Sequence, residues 1–103
     1  MNFKGTLPTL ILEAVEQEPS HGYRIAQGIK ERSKGVLDFK EGTLYPALHK
    51  LENEGLVASS EEIENGRARR YYRITKAGTR QLAVETERWT SYSTGVARVL
   101  RLA

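Results

Sequence analysis

Asn65-Gly66 limits what this chain can become more than any other dipeptide in it. Both residues tolerate positive φ, so the pair favours the two-residue turn that closes a β-hairpin. It falls inside "SSEEIENGRARRYY", between two polar, strand-like runs. A two-residue turn sets Glu64 opposite Arg67, Glu62 opposite Arg69 and Glu61 opposite Arg70. Tyr71, Tyr72 and Ile74 supply a face that can pack on the body of a domain. The remaining segments have helical periodicity, and the order reads helix, helix, helix, hairpin, long helix.

The first helix is expected over roughly residues 6–17, where Leu7, Leu10, Ile11, Ala14 and Val15 repeat as a buried stripe. Pro8 fits its first turn, and Pro19 stops it at the residue before. The second is expected over roughly residues 20–33, with Ser20 as N-cap, Ile25, Ala26 and Ile29 as its apolar side, and Gly35 at its C-terminal stop. Residues 34–42 read as a connector anchored by Val36, Leu37 and Phe39. The third helix lies in "GTLYPALHKLENEGLV", residues 42–57, with Thr43 as cap, Pro46 in the first turn and Gly55 at the left-handed C-terminal position. Leu44, Ala47, Leu48 and Leu51 fall on one side of it, and Pro46, His49, Lys50 and Asn53 fall opposite, flanked by Tyr45. Thr75 caps a last helix running to about residue 100, along which Leu82, Trp89, Tyr92, Val96 and Val99 recur near heptad spacing. Such a rod measures roughly 35–40 Å. The rest of so short a chain cannot cover it, so its stripe predicts a second copy.

A chain of 103 residues is expected to form one compact body with a thin core. Two units are expected within it: residues 1–75 as a winged-helix domain and residues 76–103 as a dimerisation helix. No apolar run is long enough for a membrane span and no secretory leader opens the chain, and the absence of cysteine fits a cytoplasmic location. The net charge of +3 is unevenly spread. Residues 1–55 hold 7 basic and 8 acidic side chains, whereas residues 56–103 hold 9 basic and 5 acidic. In "RARRYYR", four of the seven residues are arginine and two are tyrosine, a mixture of basic and aromatic side chains that points to a polyanion. The plain alternative is a solvated strand whose arginines neutralise the glutamates opposite, each pair adding at most about 1 kcal/mol.

The expected fold class is therefore mainly α with a small β-hairpin: a winged helix-turn-helix followed by a long dimerisation helix. In that arrangement the leucines of the third helix lock inward and its polar flank is free to enter a major groove. His49, Lys50 and Asn53 offer donors and acceptors to base edges, with Pro46 on the same flank. Thr43 and Tyr45, near the helix N-terminus, reach phosphate oxygens, and Arg67, Arg69 and Arg70, at the wing tip, hold the neighbouring backbone or minor groove.

"LILEAVEQEPSHGYRIAQGI", "GVLDFKEGTLYPALHKLENEGLV" and "ENGRARRYYRITKAG" together resemble the PadR family of bacterial transcriptional regulators, specifically its short subfamily with a single C-terminal helix. The resemblance spans essentially residues 5–100. It implies a homodimer that reads an inverted-repeat operator in double-stranded DNA, most often as a repressor. By position it implies Tyr23, Thr43, Tyr45 and Lys50 as helical DNA contacts and the arginines after Gly66 as wing contacts. It also implies that Trp89 lies near the dimer interface, where in some members the corresponding aromatic stacks on a flat hydrophobic effector. The plain alternative for Trp89 is interface packing. Two departures reduce the expected wing contacts: the first wing strand lacks the aromatic many relatives carry, and Ala68 stands where a basic residue is common.

No nucleophile–base pair, carboxylate pair or phosphate-cradling glycine loop is present, so the chain does not read as an enzyme. His21 and His49 lack a cysteine or a second close histidine, so neither a metal nor any other cofactor is expected. The competing reading is a winged helix used for protein–protein assembly. The target gene, the operator sequence and the effector are not encoded in a form the residues reveal.

Overall fold

A computed structural model describes residues 3–102; the outermost ends of the two expected units, residues 1–2 and 103, lie outside them. After a 3₁₀ turn at Phe3–Thr6 come α1 (Leu7–Gln17), β1 (Ser20–His21), α2 (Gly22–Arg32), α3 (Glu41–Asn53), β2 (Val57–Glu64), β3 (Arg67–Ile74) and α4 (Lys76–Val99). The architecture is the expected winged helix with a long last helix. One strand is added: β1 pairs with β3 through Ser20↔Tyr72 and His21↔Tyr71, giving an antiparallel sheet of order β1-β3-β2.

The hairpin register is the one dictated by its turn. Asn65 and Gly66 have φ of 51° and 75°, and Glu64, Glu62 and Glu61 pair with Arg67, Arg69 and Arg70. Alternation along the strands then separates the two faces. Tyr72 and Ile74 turn toward the helices, Tyr72 being 2% exposed, while Tyr71 points to the other face with Arg69 and Arg73. The expectation that Tyr71 would share the packing face therefore fails on parity.

The core is built from Leu7, Ile11, Leu12 and Val15 of α1, Ile25 and Ile29 of α2, and Leu44, Leu48 and Leu51 of α3, closed by Val57, Tyr72 and Leu82. Leu12 lies outside the expected α1 stripe yet is buried, because α1 is packed against the other helices, β3 and α4 rather than along one stripe. Leu37 and Phe39 pack on the core as anchors, but Val36 is 79% exposed and anchors nothing.

Ser20 does not cap α2: it is buried in β1 and its hydroxyl donates to the Glu18 carbonyl, while His21 Nδ1 accepts from the Arg24 N–H at 3.2 Å. Helix α3 begins two residues before Thr43, because the Lys40 carbonyl already accepts from the N–H groups of Thr43 and Leu44. Thr43 thus lies inside the helix and caps nothing, and Pro46 lies beyond the first turn. The missing N–H removes the helical bond to the Gly42 carbonyl, at a point where both Gly42 and Pro46 are exposed. Gly55, with φ of 74°, ends α3 as expected.

Helix α4 starts where Thr75 both accepts from the Gly78 N–H and donates its hydroxyl to the Gly55 carbonyl at 2.7 Å. The Thr75 N–H donates to the Leu56 carbonyl. These bonds draw the first turn of α4 onto the connector after α3, and Gly78 makes the approach possible. A Cβ there would overlap the Leu56 carbonyl oxygen and lie 2.7 Å from Ile74 Cγ1. Gly78→Ala should therefore destabilise the fold by about 1–3 kcal/mol through overpacking. Gly28→Ala, where a Cβ meets nothing within 4 Å, should stabilise it by roughly 0.5–1 kcal/mol through helix propensity. Urea denaturation of the two variants checks the contrast, and equal midpoints would mean that α4 is not seated so closely.

Candidate nucleic-acid interface

The leucines of α3 decide which of its flanks is outward. Leu44, Leu48 and Leu51 are at most 3% exposed, so Pro46, His49, Lys50 and Asn53 are turned to solvent. Thr43 is half-buried and borders a small hollow with Pro8, Ala47 and Lys50. Tyr45 is also half-buried, packing its ring against the core and over Gly22. A Cβ on Gly22 would lie 2.6 Å from the Tyr45 hydroxyl oxygen, so this glycine is what lets α3 and the N-terminus of α2 meet. The Tyr45 and His49 ring centroids are 6.5 Å apart, one turn along the same flank.

Tyr23, in the first turn of α2, is 63% exposed and stacks on His21 at 6.5 Å. His21 in turn meets Tyr71 edge-on at 5.5 Å and lies 3.1 Å from the Arg69 guanidinium through Nε2. The structure thus joins candidates that are far apart in sequence: α3 touches the start of α2, and the start of α2 touches the arginine-bearing strand of the wing. A second link runs through Ser59. Its hydroxyl donates to the Glu52 carboxylate on α3 and accepts from Arg70 Nη1 at 3.1 Å.

The three cross-strand Glu/Arg pairs behave differently from one another. Arg70 reaches Glu61 at 4.0 Å, an exposed pair of little energetic weight. Arg69 turns to His21, and Glu64 accepts a hydrogen bond from the Tyr71 hydroxyl. That bond holds the Glu64 carboxyl below its usual range and pushes the Tyr71 phenol up. Arg67 is exposed at the turn. Neutralisation of the wing by its own glutamates is therefore partial.

His21 is a functional candidate that the sequence marks only as a histidine without the partners a metal site needs. Periodicity could not reveal it, because its neighbours arise from strand pairing and a cap. Burial lowers its pKa, the Arg69 charge lowers it further, Glu64 opposes the shift, and Arg24 adds to the lowering. Among the described residues, no three His, Asp or Glu side chains gather as a metal site requires. No helix there is long and apolar enough to cross a membrane.

Helix α4 carries the other candidates. Leu82, expected in a seam between copies, is 6% exposed within its own domain and serves as the anchor of α4. Further along, Trp89 and Tyr92 are 41% and 53% exposed, with rings 6.2 Å apart, and Val96 is half-buried. Val99 is exposed. Trp89 and Tyr92 line an open groove of about 650 Å³ with Leu10 of α1 and Val36 and Leu37 of the connector.

Residues 11–84 match the model of a family described as "Transcriptional regulator PadR-like family". A crystal structure of a PadR family transcription regulator from hypervirulent Clostridium difficile R20291 is 31% identical, covering 93% of this chain and 99% of that one, with a TM-score of 0.82. A PadR-like transcriptional regulator from Bacillus cereus is 31% identical over 94% of this chain and 93% of its own, also with a TM-score of 0.82. The transcriptional regulator Rv3488 of Mycobacterium tuberculosis is 45% identical over 58 residues, which are 56% of this chain and 41% of that protein.

Removing the Arg69 charge should let the His21 imidazole titrate closer to its ordinary value of 6.5. The C2 proton resonance of His21 in Arg69→Ala, followed against pH, should have its midpoint above that of the parent chain. A midpoint unchanged or lowered would mean that the guanidinium does not lie beside the ring in solution.

Proposed function

The chain belongs to the PadR family of transcriptional regulators, and from that membership we propose that it is a sequence-specific DNA-binding repressor. It acts as a homodimer on an inverted-repeat operator. The observation that carries this reading is the solvent-facing flank of α3, with Pro46, His49 and Lys50, joined by contacts through Tyr45 and Gly22 to Tyr23 and the wing arginines. A helix whose apolar side is clamped and whose polar side is free matches the way recognition helices enter a major groove. Lys50 and His49 address base edges, and Thr43, Tyr45 and Tyr23 address phosphates from helix starts. Arg67, Arg69 and Arg70 hold the adjoining backbone and produce salt dependence.

The dimer reading is supported by the exposed apolar side chains on α4. Trp89, Tyr92, Val96 and Val99 are the seam; Leu82 is already used inside the domain. Two copies joined through α4 present two α3 helices related by a two-fold axis, and an inverted repeat mirrors that symmetry. The groove beside Trp89 suits a flat hydrophobic effector that releases the DNA.

Mobility shift on the DNA upstream of the chain's own gene is the direct test. A specific complex that weakens steeply with salt is expected, and no complex at low salt would favour an assembly module instead. Lys50→Ala should lose about 1–3 kcal/mol on the operator and less on random DNA. Arg69→Ala should weaken binding to all sequences and shallow the salt slope by about 0.9. Trp89→Asp should yield a monomer at micromolar concentration in sedimentation velocity, because a charge would be buried in an apolar seam. An intact dimer would move the seam elsewhere. Quenching of Trp89 fluorescence by planar hydrophobic compounds, accompanied by release of DNA, is the expected sign of an effector.

A further inference from the structure

Two hydrogen-bond donors converge on His21, and the ring can satisfy only one of them. The Arg24 backbone N–H lies 3.2 Å from Nδ1, and Arg69 Nη1 lies 3.1 Å from Nε2. A backbone N–H and a guanidinium can only donate, and a neutral imidazole has a single accepting nitrogen. With the proton on Nε2, the cap on α2 is made and that N–H faces the guanidinium. With the proton on Nδ1, Arg69 is held and α2 loses its cap. A protonated ring accepts from neither.

An anionic oxygen placed between Nε2 and Nη1 removes the conflict. It accepts from both, and Nδ1 is left for the Arg24 N–H. We propose that His21 and Arg69 together clasp one phosphate of the DNA backbone, making His21 a DNA contact in its own right; this rests on the DNA-binding reading above. Of the charged groups facing the ring, Arg69 and Arg24 favour an anion and the Glu64 carboxylate opposes it. Arg69 and Glu64 approach from the wing and Arg24 from α2, with Tyr71 edge-on and Tyr23 stacked. Glu64 is itself engaged by the Tyr71 hydroxyl. The position is also continuous with α3, since Gly22, the next residue, carries the Tyr45 ring.

A phosphate beside Nε2 favours the imidazolium, whereas burial and Arg69 disfavour it in the free protein. DNA binding should therefore raise the His21 midpoint, and affinity should rise as pH falls toward the free-chain midpoint, which lies below 6.5. Protonation gives up the Arg24 cap in the free and the bound chain alike, so the phosphate decides the difference. His49 is the other histidine of the chain, so the two must be resolved separately.

His21→Asn is the decisive variant, because asparagine is among the best N-caps yet has nothing equivalent to Nε2. It should melt near the parent temperature, bind a random-sequence duplex about five- to thirtyfold more weakly, and lose most of the pH dependence. Arg69→Ala should cost less in that background than alone. In the parent chain, saturating duplex should raise the midpoint of the His21 C2 resonance. A His21→Asn variant with the parent pH slope, or a His21 midpoint unmoved by duplex, would overturn the clasp while leaving DNA binding intact. Failure of the parent chain to bind any duplex at low salt would overturn both. Inorganic phosphate at millimolar concentration is the remaining arm: an equal shift from it would assign the pair to a free anion and overturn the DNA contact.

Discussion

Everything outward on this protein depends on where three leucines point. Leu44, Leu48 and Leu51 are buried against α1 and the sheet, and their burial fixes the rotation of α3 about its axis. Fully burying side chains of this type is worth about 1.5–3 kcal/mol each. A rotation that exposed Lys50 less would expose a leucine more, so the polar flank keeps its direction because the core does. The candidate interface is in this sense the complement of the core, not a separate construction.

The same logic extends to the elements around α3. Gly22 lets Tyr45 lie over the start of α2, and Gly78 lets α4 close on the Leu56 carbonyl. Each glycine works by absence: a methyl group at either position would push apart two elements that carry different parts of the surface. Thr75 adds direction, binding the Gly55 carbonyl behind it and capping α4 ahead of it. Beyond the anchor at Leu82, Trp89 and Tyr92 border the groove beside α1 and the connector yet stay exposed, and Val99, Leu100 and Leu102 after them are exposed as well.

Features governed by repetition or by a local turn were legible in the sequence. The leucine face of α3 follows from a period of 3.6, and the hairpin register follows from Asn65-Gly66, because a two-residue loop leaves one pairing open. Thr75 was readable because threonine before a helical run has one common use. What escaped depends on atoms far apart in the chain. Strand β1 is two residues long and has no period to detect. Ser20 and Thr43 have the chemistry of caps, but backbone geometry placed the helix starts elsewhere and left one buried and the other inside its helix. Tyr71 and Tyr72 are adjacent and similar, and only strand parity separates the buried ring from the half-buried one. Leu82 fits a heptad seam as well as it fits the core, since both ask for an apolar residue at that spacing. The His21–Arg69 contact spans 48 positions, and no one-dimensional pattern announces it.

That contact bears on how the wing should be understood. In the free chain Arg69 leans on a ring that can hold it only by giving up a helix cap, and Arg70 shares a serine hydroxyl and a loose, exposed carboxylate. The imidazole and the serine hydroxyl carry no negative charge, and Glu61 meets Arg70 only at 4.0 Å, whereas a phosphate offers a full charge and several accepting oxygens at contact distance. An arginine saturated by a tight internal carboxylate would have to break that pair before it met DNA, and the affinity would fall by the difference. An arginine with no partner would lose more side-chain freedom on binding. Weak internal partners avoid both losses: they keep the guanidinium near its working position at a low exchange cost. The glutamates opposite the wing arginines are therefore compatible with a nucleic-acid surface, provided that their grip stays loose, and the 4.0 Å separation of Arg70 and Glu61 is of that kind.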